Sequence, residues 1–145
     1  MHSMEDNYKL VRFLEAQNHV YLKALSEIKK GHKQSHWMWY IFPQLIGLGS
    51  SENARYFGIT NLGEATAYLQ HPTLGKHLLE ITRALLSIKG KSASDIFGYP
   101  DDLKLHSCMT LFSRVEKIDP VFSEVINKYF GGLLDSRTLE LLEDK

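Results

Sequence analysis

Apolar residues recur at alternating steps of four and three through Leu74, Leu78, Ile81, Leu85 and Ile88, the spacing that lines one face of an α-helix. Pro72 stands where a first helical turn favours proline, and Gly90 ends the run. Similar faces are carried by Leu10, Phe13, Leu14 and Gln17, by Val20, Tyr21, Ala24, Leu25 and Ile28, and by Leu105, Cys108, Met109 and Phe112. Two more follow, with Val121, Phe122, Val125, Ile126 and Tyr129 in one and Leu139 and Leu142 in the other. Boundaries are marked by capping and stop signals. Ser3 with Asp6 opens the first segment, Lys29, Lys30 and Gly31 close the second, and Asp119-Pro120 and Gly131-Gly132 bracket the penultimate one. Asp135 or Ser136 opens the last. Shorter helices are expected over Asn53–Phe57 and from Asn61 to Leu69, and Ser92 with Asp95 is expected to cap a short turn to Phe97 and Gly98. The first two segments read equally as one bent helix or as two. No run alternates apolar and polar residues with hairpin turn chemistry, so the pattern predicts an all-α fold, a single compact domain over residues 1–145. It would hold about seven to nine helices.

One stretch resists periodicity. Ser35 to Gln44 reads Ser-His-Trp-Met-Trp-Tyr-Ile-Phe-Pro-Gln, with both tryptophans and six large apolar residues in a row. With no strand partner in view, it is expected to be a short buried helix, capped by Ser35 and stopped before Pro43, with no sector left for water. Burying each indole would contribute roughly 4–6 kcal/mol by area, an upper bound. The other helices are expected to pack around this segment.

Lys33, Ser35 to Gln44, Gly47, Leu48, Gly49 and Ser50 resemble the signature of domain-of-unknown-function family eighteen-ten. His71, Pro72, Leu74 and Gly75 extend the resemblance, as do Asp102, Lys104, Leu105, Ser107, Met109, Thr110, Leu111 and Phe112. The resemblance implies a small, mainly helical and mostly bacterial protein. It implies no reaction and no catalytic residue. Some members carry a "calpastatin" label, which implies protease inhibition by a disordered chain, whereas this sequence is rich in aromatics.

Composition narrows the function classes. Seventeen basic and seventeen acidic side chains cancel, so no global field draws the 145-residue chain to nucleic acid or anionic lipid. The single Cys108 and the polar Met1–Lys9 segment, without an apolar leader, lead to the expectation of a cytoplasmic protein with no membrane span. Met1 and Met4 offer two starts.

Candidate chemistry is sparse. His32 and His36 have the spacing of a helical metal pair, but Lys33 stands where a zinc protease needs glutamate and Gly31 disturbs the helix, so no metal site is expected. Asp102, His106 and Ser113 suggest a triad, yet side chains strung along one helix do not converge on a substrate. Cys108 lies on an apolar face, as inert cysteines do. Gly47, Gly49 and Ser50 form a loop that either turns backbone amides toward an anion or simply reverses the chain. His36 and Gln44 flank the tryptophans and either bond backbone and indole groups or line a pocket. The pocket reading takes His36, Trp39, Gln44, Gly47, Gly49, Ser50 and Lys104 as ligand-binding residues, with Lys33 and Arg55 as further cations. Its ligand would be a small polar or phosphorylated metabolite, with no cofactor. The alternative is a protein–protein interaction module without catalysis, recognisable by an exposed apolar patch above about 400 Å².

Overall fold

The structure, a computed structural model, describes residues 8–145; the Ser3–Asp6 capping signal and the Met4 start lie outside them. The described residues form ten helices and no strand. In order these are α1 (Val11–Gln17), α2 (Tyr21–Lys29), α3 (Met38–Ile41), α4 (Glu52–Tyr56), α5 (Leu62–Gln70), α6 (Leu74–Leu86), α7 (Ala93–Phe97), α8 (Asp101–Ser113), α9 (Val121–Phe130) and α10 (Ser136–Glu143). Asn18, His19 and Val20 separate α1 from α2, so these are two helices.

Local chemistry sets most of these ends. Gly31 takes φ 75° after α2, its N–H donates to the Ile28 carbonyl at 2.8 Å, and the His32 N–H reaches back to the Glu27 carbonyl at 3.0 Å. That pair of bonds satisfies carbonyls the helix end would leave free. Asn61, Ser92 and Asp135 accept from backbone amides of α5, α7 and α10, and Ser92 with Asp95 completes a reciprocal capping box. The α6 start departs from the expected one. Pro72 lies before the helix, and the His71 ring Nδ1 accepts from the Thr73 and Leu74 amides at 3.1 and 3.2 Å.

α6 packs against α2, α5 and α9, while α8 packs against α5, α7, α9 and α10. Leu105 and every residue from Ser107 to Phe112 in α8 are buried, so this helix is enclosed on nearly all sides. Its polar members are accommodated within the core: Thr110 Oγ1 accepts from the Asp135 amide at 2.9 Å, and Ser107 donates to the Leu103 carbonyl.

The tryptophan segment is shorter and wetter than its composition suggests. Only Met38–Ile41 is helical, a single turn, and Phe42 leaves the helix at φ −123°, ψ 73° ahead of Pro43. Trp37, Met38, Ile41 and Phe42 are buried, but Trp39 and Tyr40 are half-buried. Ser35 does not cap it; its hydroxyl donates instead to Glu27 Oε2 at 2.7 Å. Beyond Pro43 the chain makes one parallel bridge, Leu45 opposite Ile59.

Thr82 Oγ1 is, among the described residues, the one buried side-chain polar atom without a hydrogen-bond partner. Replacing it with a methyl group of the same shape removes an unpaired hydroxyl, so Thr82→Val is expected to stabilise the fold by about 1 kcal/mol. A shift of the urea midpoint to higher concentration at unchanged slope would register it.

Candidate functional site

The site is built on Glu27, a carboxylate at 6% exposure on the inner face of α2. Its Oε1 accepts from the Gln34 amide (2.8 Å), the Ser35 amide (3.0 Å) and the Trp37 indole N–H (2.9 Å), and its Oε2 from the Ser35 hydroxyl (2.7 Å). Burial alone would raise this carboxyl's pKa, but the Ser35 hydroxyl, the two amides and the indole outweigh it and bring it from the usual 4.5 down to about 2. Glu27 therefore folds the Gly31–Trp37 loop around an ionised group. That seating fixes where the second tryptophan stands.

From there a line of alternating aromatic and charged groups runs toward α8. Lys33 Nζ lies 4.9 Å from the Trp37 ring centre, donates to the Ser35 carbonyl at 2.6 Å and pairs with Asp101 Oδ2 at 2.8 Å. Asp101, in the first turn of α8, also pairs with Lys104 Nζ at 3.0 Å, and Lys104 stands 4.8 Å from the Trp39 ring centre. Burial works against the Asp101 charge, yet the two ammonium groups hold its carboxyl below the ordinary range. Each ammonium thus serves a carboxylate and an indole face together.

Trp39 and Lys104 form one wall of a cleft of about 260 Å³, whose other lining includes Gln44, Gly49, Ser107 and Arg137. Gln44 gives its backbone carbonyl to the Ile59 amide (2.8 Å), while its side-chain amide has no partner among the described residues. Arg137, in the first turn of α10, makes only a long contact of 3.4 Å to Glu140, with both side chains exposed. The Ser107 hydroxyl is shared between the Leu103 carbonyl and Asp135 Oδ2, and Asp135 is occupied capping α10. The cleft thus offers an aromatic face, an amide and two cations to a ligand, and no free nucleophile beside a base.

Of the residues singled out from sequence, Trp39, Gln44, Gly49 and Lys104 meet at this cleft and His36, Gly47 and Ser50 do not line it. His36 is exposed, and its carbonyl accepts from the Tyr40 hydroxyl at 3.4 Å. Gly47, at φ 101°, sits against Leu141, and the Ser50 carbonyl holds the Arg55 guanidinium at 2.7 Å. Gly49 has a packing reason for its identity, since a Cβ there would lie 3.1 Å from Ala54 Cβ. Arg137, Ser107 and Asp135 were not anticipated. Ser107 is on the same helix as Lys104, three residues on, whereas Asp135 and Arg137 come from the distant start of α10. Glu27 did leave a trace, a lone carboxylate three residues after Ala24 on the buried face of α2.

The other candidates separate in space. His32 is exposed beyond the helix stop, so it shares no helical face with His36, and no group of three potential metal ligands occurs among the described residues. His106 Nε2 donates to the Leu133 carbonyl (2.6 Å) and its ring stacks on Phe130, Asp102 accepts from the Leu103 amide, and Ser113 donates to the Thr110 carbonyl. Cys108 is fully buried, which raises its thiol pKa well above the usual value. No described helix is long and apolar enough to cross a membrane.

Comparison with known proteins gives the family. A family model described as "Protein of unknown function (DUF1810)" matches residues 7–142. The chain belongs to the DUF1810 family. A crystal structure of a second protein, the conserved hypothetical protein Rv1873 from Mycobacterium tuberculosis, superposes with a TM-score of 0.93 at 48% identity, covering 94% of this chain and 98% of that one. No curated protein matches. The helical fold expected of DUF1810 is thereby shared with a solved structure, and neither match supports the "calpastatin" label.

Proposed function

We propose that this DUF1810 protein binds a small polar, anionic metabolite, phosphorylated or carboxylated, in the cleft between α3 and the first turns of α8 and α10. The observation that carries the reading is the half-buried Trp39 with Lys104 Nζ 4.8 Å from its ring centre at the mouth of a 260 Å³ opening. A planar or apolar part of the ligand stacks on the indole, its anionic group lies between Lys104 and Arg137, and Gln44 supplies amide hydrogen bonds. Asp101 already neutralises part of the lysine charge, which limits the site to weakly or moderately charged ligands.

Thermal denaturation against a panel of nucleotides, sugar phosphates and small carboxylates tests this. A ligand at 100-fold its Kd stabilises by about 2.7 kcal/mol, a Tm rise of about 5–10 °C. Lys104→Ala and Arg137→Ala are each expected to weaken that ligand about tenfold. A panel without any shift, or a shift indifferent to both changes, removes the proposal. A second reading, a protein-interaction module, is favoured by Tyr99, Leu103 and Leu133 at 79%, 52% and 71% exposure. Loss of a partner on Leu103→Glu, with no ligand in the panel, would select it.

A further inference from the structure

A second opening shares no lining residue with the Trp39 cleft. It measures about 990 Å³ and lies between the end of α1, the Asn18–Val20 turn, the start of α2 and the first half of α6. At its base sits Gln17, at 4% exposure, whose Nε2 donates to the Tyr40 carbonyl (2.8 Å) and to the Tyr68 hydroxyl (2.9 Å). A carbonyl can only accept, so the NH2 end of the amide is fixed toward Tyr40 and the Oε1 end toward His77 Nδ1, at 2.8 Å. An amide oxygen can only accept in turn. Nδ1 of His77 therefore carries the proton, and in the neutral ring Nε2 holds a lone pair.

That lone pair is unspent. Among the described residues every buried side-chain nitrogen or oxygen other than Thr82 Oγ1 has a partner, and His77 Nε2 has none, so it is in contact with solvent. His77 lines the cleft with Tyr21 stacked flat on its ring, 3.6 Å between centres and 7° between planes. The Tyr21 hydroxyl donates to Glu80 Oε1 at 2.5 Å, with the His77 carbonyl 3.1 Å away. Burial, opposed by Glu80 and aided by Lys76, lowers the His77 pKa below its usual 6.5 and favours the neutral ring. A purely structural stack joining α2 to α6 needs neither an open basic nitrogen nor an adjacent cleft.

We propose that this cleft is a second ligand site, independent of the one at Trp39, for a small molecule carrying an ammonium group on an apolar body. The ammonium donates to His77 Nε2 and lies among the carboxylates of Glu15 and Glu80, which line the same opening. Leu14, Val20 and the 78% exposed Leu22 receive the apolar body. The remaining titratable groups on the walls are His19, Tyr21 and Lys76, so two carboxylates face one ammonium.

The test is nitrogen-detected histidine NMR on the full chain, titrated with phenethylammonium and, separately, with its charge-reversed counterpart 3-phenylpropionate. Phenethylammonium is expected to move the His77 Nε2 resonance and the amides of residues 14–22 and 73–80. Glu80→Gln, which retains an acceptor for Tyr21, should weaken that titration about fivefold, and Glu15→Gln, an exposed position, should weaken it without disturbing the Tyr21–Glu80 bond. His77 in the Nε2–H tautomer, no movement of these resonances, or equal binding of 3-phenylpropionate would overturn the proposal.

Discussion

Gly75→Ala is expected to lower the melting temperature by about 6–12 °C, the equivalent of about 3 kcal/mol or more for a domain of this size. Gly75 is the second residue of α6, and an added Cβ would lie 2.0 Å from the carbonyl oxygen of Leu69 and 2.8 Å from its carbon. Carbon–oxygen contacts settle at about 3.3 Å or longer, so the backbone itself must move. It has little freedom to do so. Leu69 belongs to the last turn of α5, and the joint to α6 is tied by the Gly75 amide on the His71 carbonyl (2.9 Å) and by the His71 ring on two further amides. Gly90→Ala provides the contrast, because Gly90 has φ 72° but nothing within 4 Å of its would-be Cβ. Left-handed backbone strain alone costs about 1–2 kcal/mol. Differential scanning calorimetry of both variants should rank Gly75→Ala well below Gly90→Ala; equal losses would mean that α5 and α6 do not approach so closely.

The second large effect concerns Glu27 and depends on pH. Glu27→Gln keeps an acceptor for the indole but turns an NH2 toward donors that met a carboxylate, and is expected to cost about 3 kcal/mol at pH 7. The carboxyl is held at about 2 in the folded protein against the usual 4.5. A depressed folded value means that its stabilisation is complete above about pH 4.5 and is lost as pH falls from there through about 2, a total of about 3 kcal/mol. Urea titrations at several pH values should therefore show the gap between the native protein and Glu27→Gln shrinking across that window. A gap of constant size would show that Glu27 does not carry this part of the acid sensitivity.

Features governed by a few adjacent residues were legible without coordinates. The stops at Gly31 and Gly131, the caps at Asn61, Ser92 and Asp135, and the Asp119-Pro120 start all satisfy backbone groups within one turn, so neighbouring residues suffice to reveal them. α8 was harder. A helix buried on nearly every side has no polar stripe to contrast with its apolar one, and the burial of Ser107 and Thr110 makes sense only once their partners Leu103 and Asp135 are in place. The tryptophan segment misled in the other direction, since six apolar residues in a row suggest burial throughout and Trp39 and Tyr40 keep an open edge. Of the site, Trp39, Gln44, Gly49 and Lys104 were within reach because each looked out of place locally. Arg137 was not, because only the packing of α10 against α8 brings it to the cleft.

The chain has two indoles in opposite settings: Trp37 buried and locked on Glu27, Trp39 half-buried on the wall of the proposed cleft. A proton–nitrogen correlation spectrum with hydrogen exchange, recorded before and after adding the tightest anion from the panel, reads both at once. The predicted result is one slowly exchanging indole signal that stays in place and one rapidly exchanging signal that moves. Two slowly exchanging signals, or two that ignore every anion, would contradict the claim that Glu27 seats one tryptophan so that the other can form a binding wall.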